Sequence, residues 1–267
     1  MPEGNFSPPV FIEGQVEADG LSVRYREAGQ GRPVFVLDTT GRRRSLLHDA
    51  LADRYHVYSL ELPGTGDSPV NTTSQSIKDL AATAAKAATA LTAERYTLIG
   101  TSLGAHTALW QTLQAPDQVE ALILISPTAI RPQPVSANAT RLEMHELMFA
   151  HPENAPKNAP VSEEIFAKER EMARRLSSGV HDGGAEARLG EIRCPTLAVF
   201  GHKDRLVSSE AARVYREMIP NCNISIVYDA GHCIIGERPE ALVNAVVDYA
   251  EQWETFIVGR QTGLINP

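Results

Sequence analysis

Gly100-Thr101-Ser102-Leu103-Gly104 decides the reading of this chain, because of what stands on each side of it. Before it, Tyr96-Thr97-Leu98-Ile99 reads as a short buried strand. After it, Ala105-His106-Thr107-Ala108-Leu109-Trp110 reads as the start of a helix. A G-x-S-x-G between strand and helix makes a turn so sharp that side chains have no room beside the serine. Gly100 and Gly104 let the two elements close on each other. The turn then lifts the Ser102 hydroxyl above the carboxyl edge of the sheet. The pentapeptide alone is a weak signal, and its flanks and distant partners make it a strong one.

A serine hydroxyl is a poor nucleophile until a base takes its proton. The expected base is a histidine oriented by a carboxylate. Pro195-Thr196-Leu197-Ala198-Val199-Phe200-Gly201-His202-Lys203-Asp204 is a buried strand running into a glycine turn with an acid at its end. Ile224-Ser225-Ile226-Val227-Tyr228-Asp229-Ala230-Gly231-His232 is another strand, ending in Gly-His. Ser102, Asp204 and His232 thus follow each other just past the carboxyl ends of strands, where open α/β sheets place their sites. Ser126-Pro127-Thr128, after the strand at 121–125, offers no competing acid. Asp229 reads as a strand-end residue that helps form the turn before Gly231, and Cys233 as a small buried hydrophobe.

These pieces resemble the α/β-hydrolase family, over nearly the whole chain from about residue 14 to residue 256. Glu61-Leu62-Pro63-Gly64-Thr65-Gly66-Asp67-Ser68 looks like the family's D-x-x-G-x-G-x-S turn, with Glu61 where Asp is usual. Gly231-His232 and Glu237-Arg238-Pro239-Glu240 also match. The resemblance implies Ser102 as nucleophile, His232 as general base and acid, Asp204 as orienting carboxylate and the Leu103 N–H as one oxyanion donor. Glu61 and Asp67 read as structural.

One departure stands out. Where the family carries His-Gly after its third strand, this chain has Asp38-Thr39-Thr40-Gly41. By position, the Thr40 N–H becomes the second oxyanion donor. Asp38 is expected to turn away and bond nearby backbone, since a carboxylate facing an oxyanion would repel it. Arg42-Arg43-Arg44 reads as a solvated helix entry, the alternative being recognition of a substrate carboxylate.

The composition, with 43% hydrophobic and 22% charged residues, is that of an ordinary globular protein. A net charge of −8 argues against nucleic acid and anionic membrane as partners. Met1-Pro2-Glu3-Gly4-Asn5 lacks the basic and apolar regions of a secretory signal, and no apolar run is long enough for a membrane span. Cys194, Cys222 and Cys233 suggest no disulfide framework and fit a reducing cytoplasm. No cofactor and no metal site is expected. The expected partner is a small-molecule substrate, with the oligomeric state open between monomer and homodimer.

Residues 10–17 and 21–27 read as a hairpin; strands and helices then alternate, which predicts a mostly parallel sheet of about eight strands flanked by helices. Helices are expected over 46–54, 76–91, 103–113, 209–218 and 239–258. The core is expected from 1–127 and 191–267. Residues 128–190 interrupt the rhythm without a buried strand, and helices are expected at 142–150 and 163–177. By resemblance this insertion is a small helical cap over Ser102, and Met144, Met148, Phe149 and Phe166 are its pocket candidates.

The first functional expectation is a serine hydrolase of a small ester or lactone. The alternative is a C–C bond hydrolase of vinylogous diketones, a class that resembles this chain in cap size but whose usual Arg and Trp neighbours of the acid and base are not found, since Lys203 and Arg205 flank Asp204 and Cys233 follows His232. A ligand-binding protein on the same fold is a third, favoured only by Asp38-Thr39. Serine at 102 excludes an aspartate-nucleophile dehalogenase or epoxide hydrolase.

Overall fold

The computed structural model describes residues 8–38, 44–131, 139–155, 162–177 and 181–255. Eight strands form one sheet: β1 (Ile12–Ala18), β2 (Leu21–Ala28), β3 (Pro33–Asp38), β4 (His56–Glu61), β5 (Tyr96–Thr101), β6 (Val119–Ile125), β7 (Thr196–Gly201) and β8 (Cys222–Val227). Their order is β1-β2-β4-β3-β5-β6-β7-β8. β1/β2 and β2/β4 are antiparallel, and the remaining neighbours are parallel. This is the α/β-hydrolase architecture that the sequence predicts.

The central strands read as unbroken apolar runs because both of their faces are covered. Phe35 and Leu37 of β3 and Leu122 and Leu124 of β6 enter one core, while Val34, Val36, Ile123 and Ile125 enter the other. The first core is closed by α2 (Ile77–Leu91), α3 (Leu103–Gln114) and α7 (Ala212–Met218). The second is closed by α1 (Leu46–Ala52) and α9 (Pro239–Gln252). Ser76 and Asp79 form a reciprocal capping box at the start of α2, and Pro239 opens α9 where its missing N–H leaves no helix bond unmade.

Between β6 and β7 lie α4 (Arg141–Met148), α5 (Glu163–Ser177) and the short α6 (Gly183–Glu186). This helical cap region is fastened to the turn after β4 by side chains of α5. Glu169 accepts from the Gly66 N–H at 2.8 Å, and Lys168 donates to the Gly66 and Ser68 carbonyls at 2.7 and 2.6 Å. Arg175 donates to the Ser74 and Asn71 carbonyls. The turn itself is closed by Glu61, buried, which accepts from the Ser68 backbone at 2.9 Å and from its hydroxyl. The short α8 (Ile234–Glu237) completes the chain's helices among the described residues.

Candidate active site

Ser102 stands between β5 and α3 at φ 56°, ψ −116°, outside the regions that non-glycine residues favour. Such strain persists only where the surroundings over-determine it. Here the Ser102 N–H donates to the Ile125 carbonyl at 2.9 Å, and its own carbonyl accepts from His106 N–H at 3.1 Å. Gly100 is required by space rather than by φ: a Cβ there would lie 2.4 Å from the Gly104 carbonyl oxygen.

His232 and Asp204 arrive from the ends of β8 and β7. His232 Nε2 lies 2.9 Å from Ser102 Oγ, and His232 Nδ1 lies 2.9 Å from Asp204 Oδ2. Asp204 Oδ1 accepts from the Leu206 and Val207 N–H groups, each at 2.8 Å. An ionised carboxylate only accepts, so Nδ1 carries the proton and Nε2 is left to accept from the serine hydroxyl. His232 and Asp204 are 2% and 8% exposed, so this relay is shielded from water. The three residues singled out from sequence are therefore brought together as a Ser-His-Asp triad.

The rivals stand elsewhere. Asp229, at φ 55°, takes Lys203 at 2.6 Å, His151 at 2.8 Å and Arg238. Hydrogen bonds from Lys203 and then His151 hold its carboxyl well below the usual carboxylate range. His106 is buried against Asp182 at 2.8 Å, a second His-Asp pair that Trp110 shares through a 2.7 Å bond from its indole N–H. Burial pulls the His106 pKa down, so the ring is neutral. None of the three cysteines forms a disulfide, and burial pushes the Cys194 thiol up to about 12.

Of the cap candidates, Met144 is partly buried against the first core. Met148 and Phe149 lie beside the His232 loop through their backbone: a Cβ on Gly231 would meet the Met148 carbonyl oxygen at 2.9 Å and the Phe149 carbonyl carbon at 2.9 Å. Phe166 sits between the guanidinium groups of Arg141 and Arg170, at 5.3 and 5.8 Å, in the packing of the cap. Arg44 is engaged by Asp49 at 2.5 Å and lies 5.7 Å from the Phe11 ring. Thr39, Thr40, Arg42 and Arg43 lie outside the described residues, and of Asp38 the structure places the backbone, paired with Glu61.

Sequence reasoning missed the groups that hold the triad in place. Ser126, buried at φ 45°, donates its hydroxyl to the His232 carbonyl at 3.1 Å. Thr128 donates to the Ser102 carbonyl at 3.3 Å. The Glu237 carboxylate accepts from Gly231 N–H at 2.6 Å and from His151 N–H at 2.9 Å, linking the base loop to the cap. The Cys233 N–H reaches the Met148 carbonyl at 2.9 Å. No group of metal-ligating side chains occurs among the described residues, and no helix among them is long and apolar enough to cross a membrane.

The family model for the alpha/beta hydrolase family matches residues 28–245, and the chain belongs to that family. With the assembled triad, this makes the protein a serine-hydrolase-type enzyme. The chain is 28% identical to a 2-hydroxy-6-oxononadienedioate/2-hydroxy-6-oxononatrienedioate hydrolase of Pseudomonas putida, over 90% of this chain and 94% of that protein. It is 24% identical to a 2-hydroxy-6-oxo-6-(2'-aminophenyl)hexa-2,4-dienoic acid hydrolase of Metapseudomonas resinovorans, over 91% and 92%. Among solved structures, a serine hydrolase involved in carbazole degradation superposes with a TM-score of 0.78 at 20% identity, over 91% of this chain and 99% of that one. That likeness concerns the fold.

Proposed function

We propose that this enzyme hydrolyses a carbon–carbon bond beside a ketone carbonyl in an oxo-dienoic acid. The observation that carries this reading is the match to the Pseudomonas putida hydrolase along nearly the full length of both chains. It reverses the order expected from sequence, where an ester or lactone came first. In this reading Ser102 is the nucleophile, His232 moves the proton, Asp204 orients the imidazole, and the Leu103 N–H, with that of Thr40, receives the oxyanion. Addition of the serine oxygen to the ketone gives a tetrahedral centre. Before that addition the 2-hydroxydienoate takes its keto form, the 2-hydroxyl proton being lost and carbon 5 gaining one. Collapse of the tetrahedral centre then breaks the bond between carbons 5 and 6. The electron pair is delocalised as a dienolate onto the 2-oxo group, and protonation of that dienolate gives the first product. Water activated by His232 releases the second acid from Ser102.

Lys203 and Arg205 beside Asp204, and Cys233 after His232, keep ester or lactone hydrolysis as the second reading. The triad's geometry speaks against a protein that only binds. Residues 128–190 would form the lid over the site, and the free thiols support a cytoplasmic place. The test is steady-state kinetics on a 6-substituted 2-hydroxy-6-oxohexa-2,4-dienoic acid beside p-nitrophenyl esters of graded length. A higher kcat/KM on the dienoic acid is expected; turnover of the esters alone would return the ester reading to first place.

A further inference from the structure

Side chains alternate along a strand, so Ser59 of β4 faces the same side of the sheet as Val57, a member of the second core. Register places Arg26 of β2 opposite Ser59, and Glu13 of β1 opposite Arg26. The three form one polar row across the strands at that edge of the sheet. The row opens on a cavity of about 490 Å³. Phe11 and residues 8–10 supply its apolar lining, and Arg44 and His48, at the entry to α1, join the row as its polar lining. Neither the triad nor any described residue of the cap lines it.

Two donors in this cavity are unused. Ser59 is 3% exposed, and its hydroxyl forms no hydrogen bond among the described residues. A hydroxyl so withdrawn from water is destabilising until a partner reaches it. The Nε of Arg44 donates to Asp49 at 2.5 Å, and its guanidinium lies 5.7 Å from the Phe11 ring. The two terminal amino groups of Arg44 hold no bond among the described residues, and that end of the fork matches a carboxylate in bidentate geometry. Arg26 differs, since Glu13 accepts from its Nε and Nη2 at 3.2 and 3.0 Å. Phe11 adds an aromatic surface, with the His48 ring edge-on to it at 6.3 Å. His48 is itself fixed by Ser45, whose Oγ lies 2.9 Å from Nδ1. Donors grouped beside an aromatic ring, in a space of this size, suit a flat apolar molecule that carries one carboxylate.

We propose that this cavity is a second binding site, separate from the triad, for an aromatic carboxylate held by Arg44 and Ser59 against the Phe11 ring. The proposal does not rest on the reaction assigned to Ser102.

The experiment titrates the full chain with 2-naphthoate, whose own fluorescence reports binding, and with the neutral 2-naphthamide in competition. Wild type should bind the acid saturably and the amide about ten-fold more weakly. In Arg44→Met the Kd for the acid should rise about ten- to a hundred-fold, the scale of a charge-assisted hydrogen bond. In Ser59→Ala, which removes one donor rather than two, it should rise about ten-fold. Thermal melting checks the fold of each variant. Ser59→Ala breaks no bond of the free protein, so it carries the test if Arg44→Met does not fold. No binding of the acid to wild type overturns the proposal, and so does equal affinity for acid and amide. A Kd unchanged in both folded variants, with 2-naphthoate competing against substrate in turnover, would place the probe at the triad and overturn it as well.

Discussion

The hydroxyl of Ser126 donates to the backbone carbonyl of His232 across 3.1 Å, joining two loops 106 residues apart in sequence. Ser126 reaches that carbonyl from a left-handed backbone at φ 45° and is wholly buried. Ser126→Ala therefore leaves a buried carbonyl without its donor, at a cost of about 1–3 kcal/mol. We expect kcat to fall by roughly ten-fold or more with little change in KM, because the base drifts from Ser102 while the cap is untouched. Kinetics and a melting curve measure both effects, and unaltered kcat would show that the base loop is held by other bonds.

Ser102→Ala should remove turnover by several powers of ten, as in other triads. Ser102→Gly should be equally inactive yet more stable than wild type. Glycine accepts the φ of 56° without the strain, of order 1 kcal/mol or more, that serine carries there. A melting temperature below that of wild type would mean that the serine side chain contributes more packing than its backbone costs.

Asp204→Asn should keep substrate binding and lose on the order of 10⁴ in kcat, since an amide favours the wrong imidazole tautomer. Asp229→Asn should stay active, because Asp229 is bonded to Lys203, His151 and Arg238 rather than to the base. Assaying both variants on one substrate decides between the two acids; the opposite pattern would exchange their roles.

His106 sets a pH limit on stability. Unfolded, it protonates near pH 6.5; folded, burial keeps it neutral to a lower pH. Between those two values the unfolded chain binds more protons, so this contribution is full above about 6.5 and is lost as pH falls toward the folded pKa. His106→Gln cannot titrate and should show a flatter decline in unfolding free energy from about pH 6.5 down to 5. Denaturant titrations across that range test it, and an unchanged slope would mean that folding leaves the His106 pKa where it is in the unfolded chain.

What sequence reveals here depends on range. The β3 and β6 runs announce themselves because burial on both faces excludes polar residues from them. Ser102, Asp204 and His232 were legible because each ends a strand beside a glycine. Helix ends were less so: 142–150 was expected as helix, but α4 ends at Met148 and Phe149 is extended. The reason is tertiary, since the chain leaves the helix at Phe149 to lay residues 149–150 against Gly231. The expected helix over 209–218 begins as a 3-10 turn at Ser209–Ala211 before α7. Its expected counterpart over 239–258 ends at Gln252, and residues 256–258 fall outside those described. The bonds of Asp182 to His106 and Trp110, of Ser126 to His232 and of Glu237 to His151 span 72 to 106 residues, and no local pattern marks them.

The link between residues 148–151 and the His232 loop bears on anyone who would retarget this enzyme. Cys233 N–H donates to the Met148 carbonyl and His151 N–H to Glu237, and Gly231 leaves no room for a side chain beside the Ala150 backbone, so the stretch after α4 is seated on the base loop. Residues 148–151 and the base loop thus form one unit. A foreign segment that replaced residues 148–151 along with the cap helices would arrive without that seat, and the histidine would lose its register before any new pocket was sampled. Grafts that retain residues 148–151 and replace only what lies beyond them leave the chemistry intact while the specificity changes.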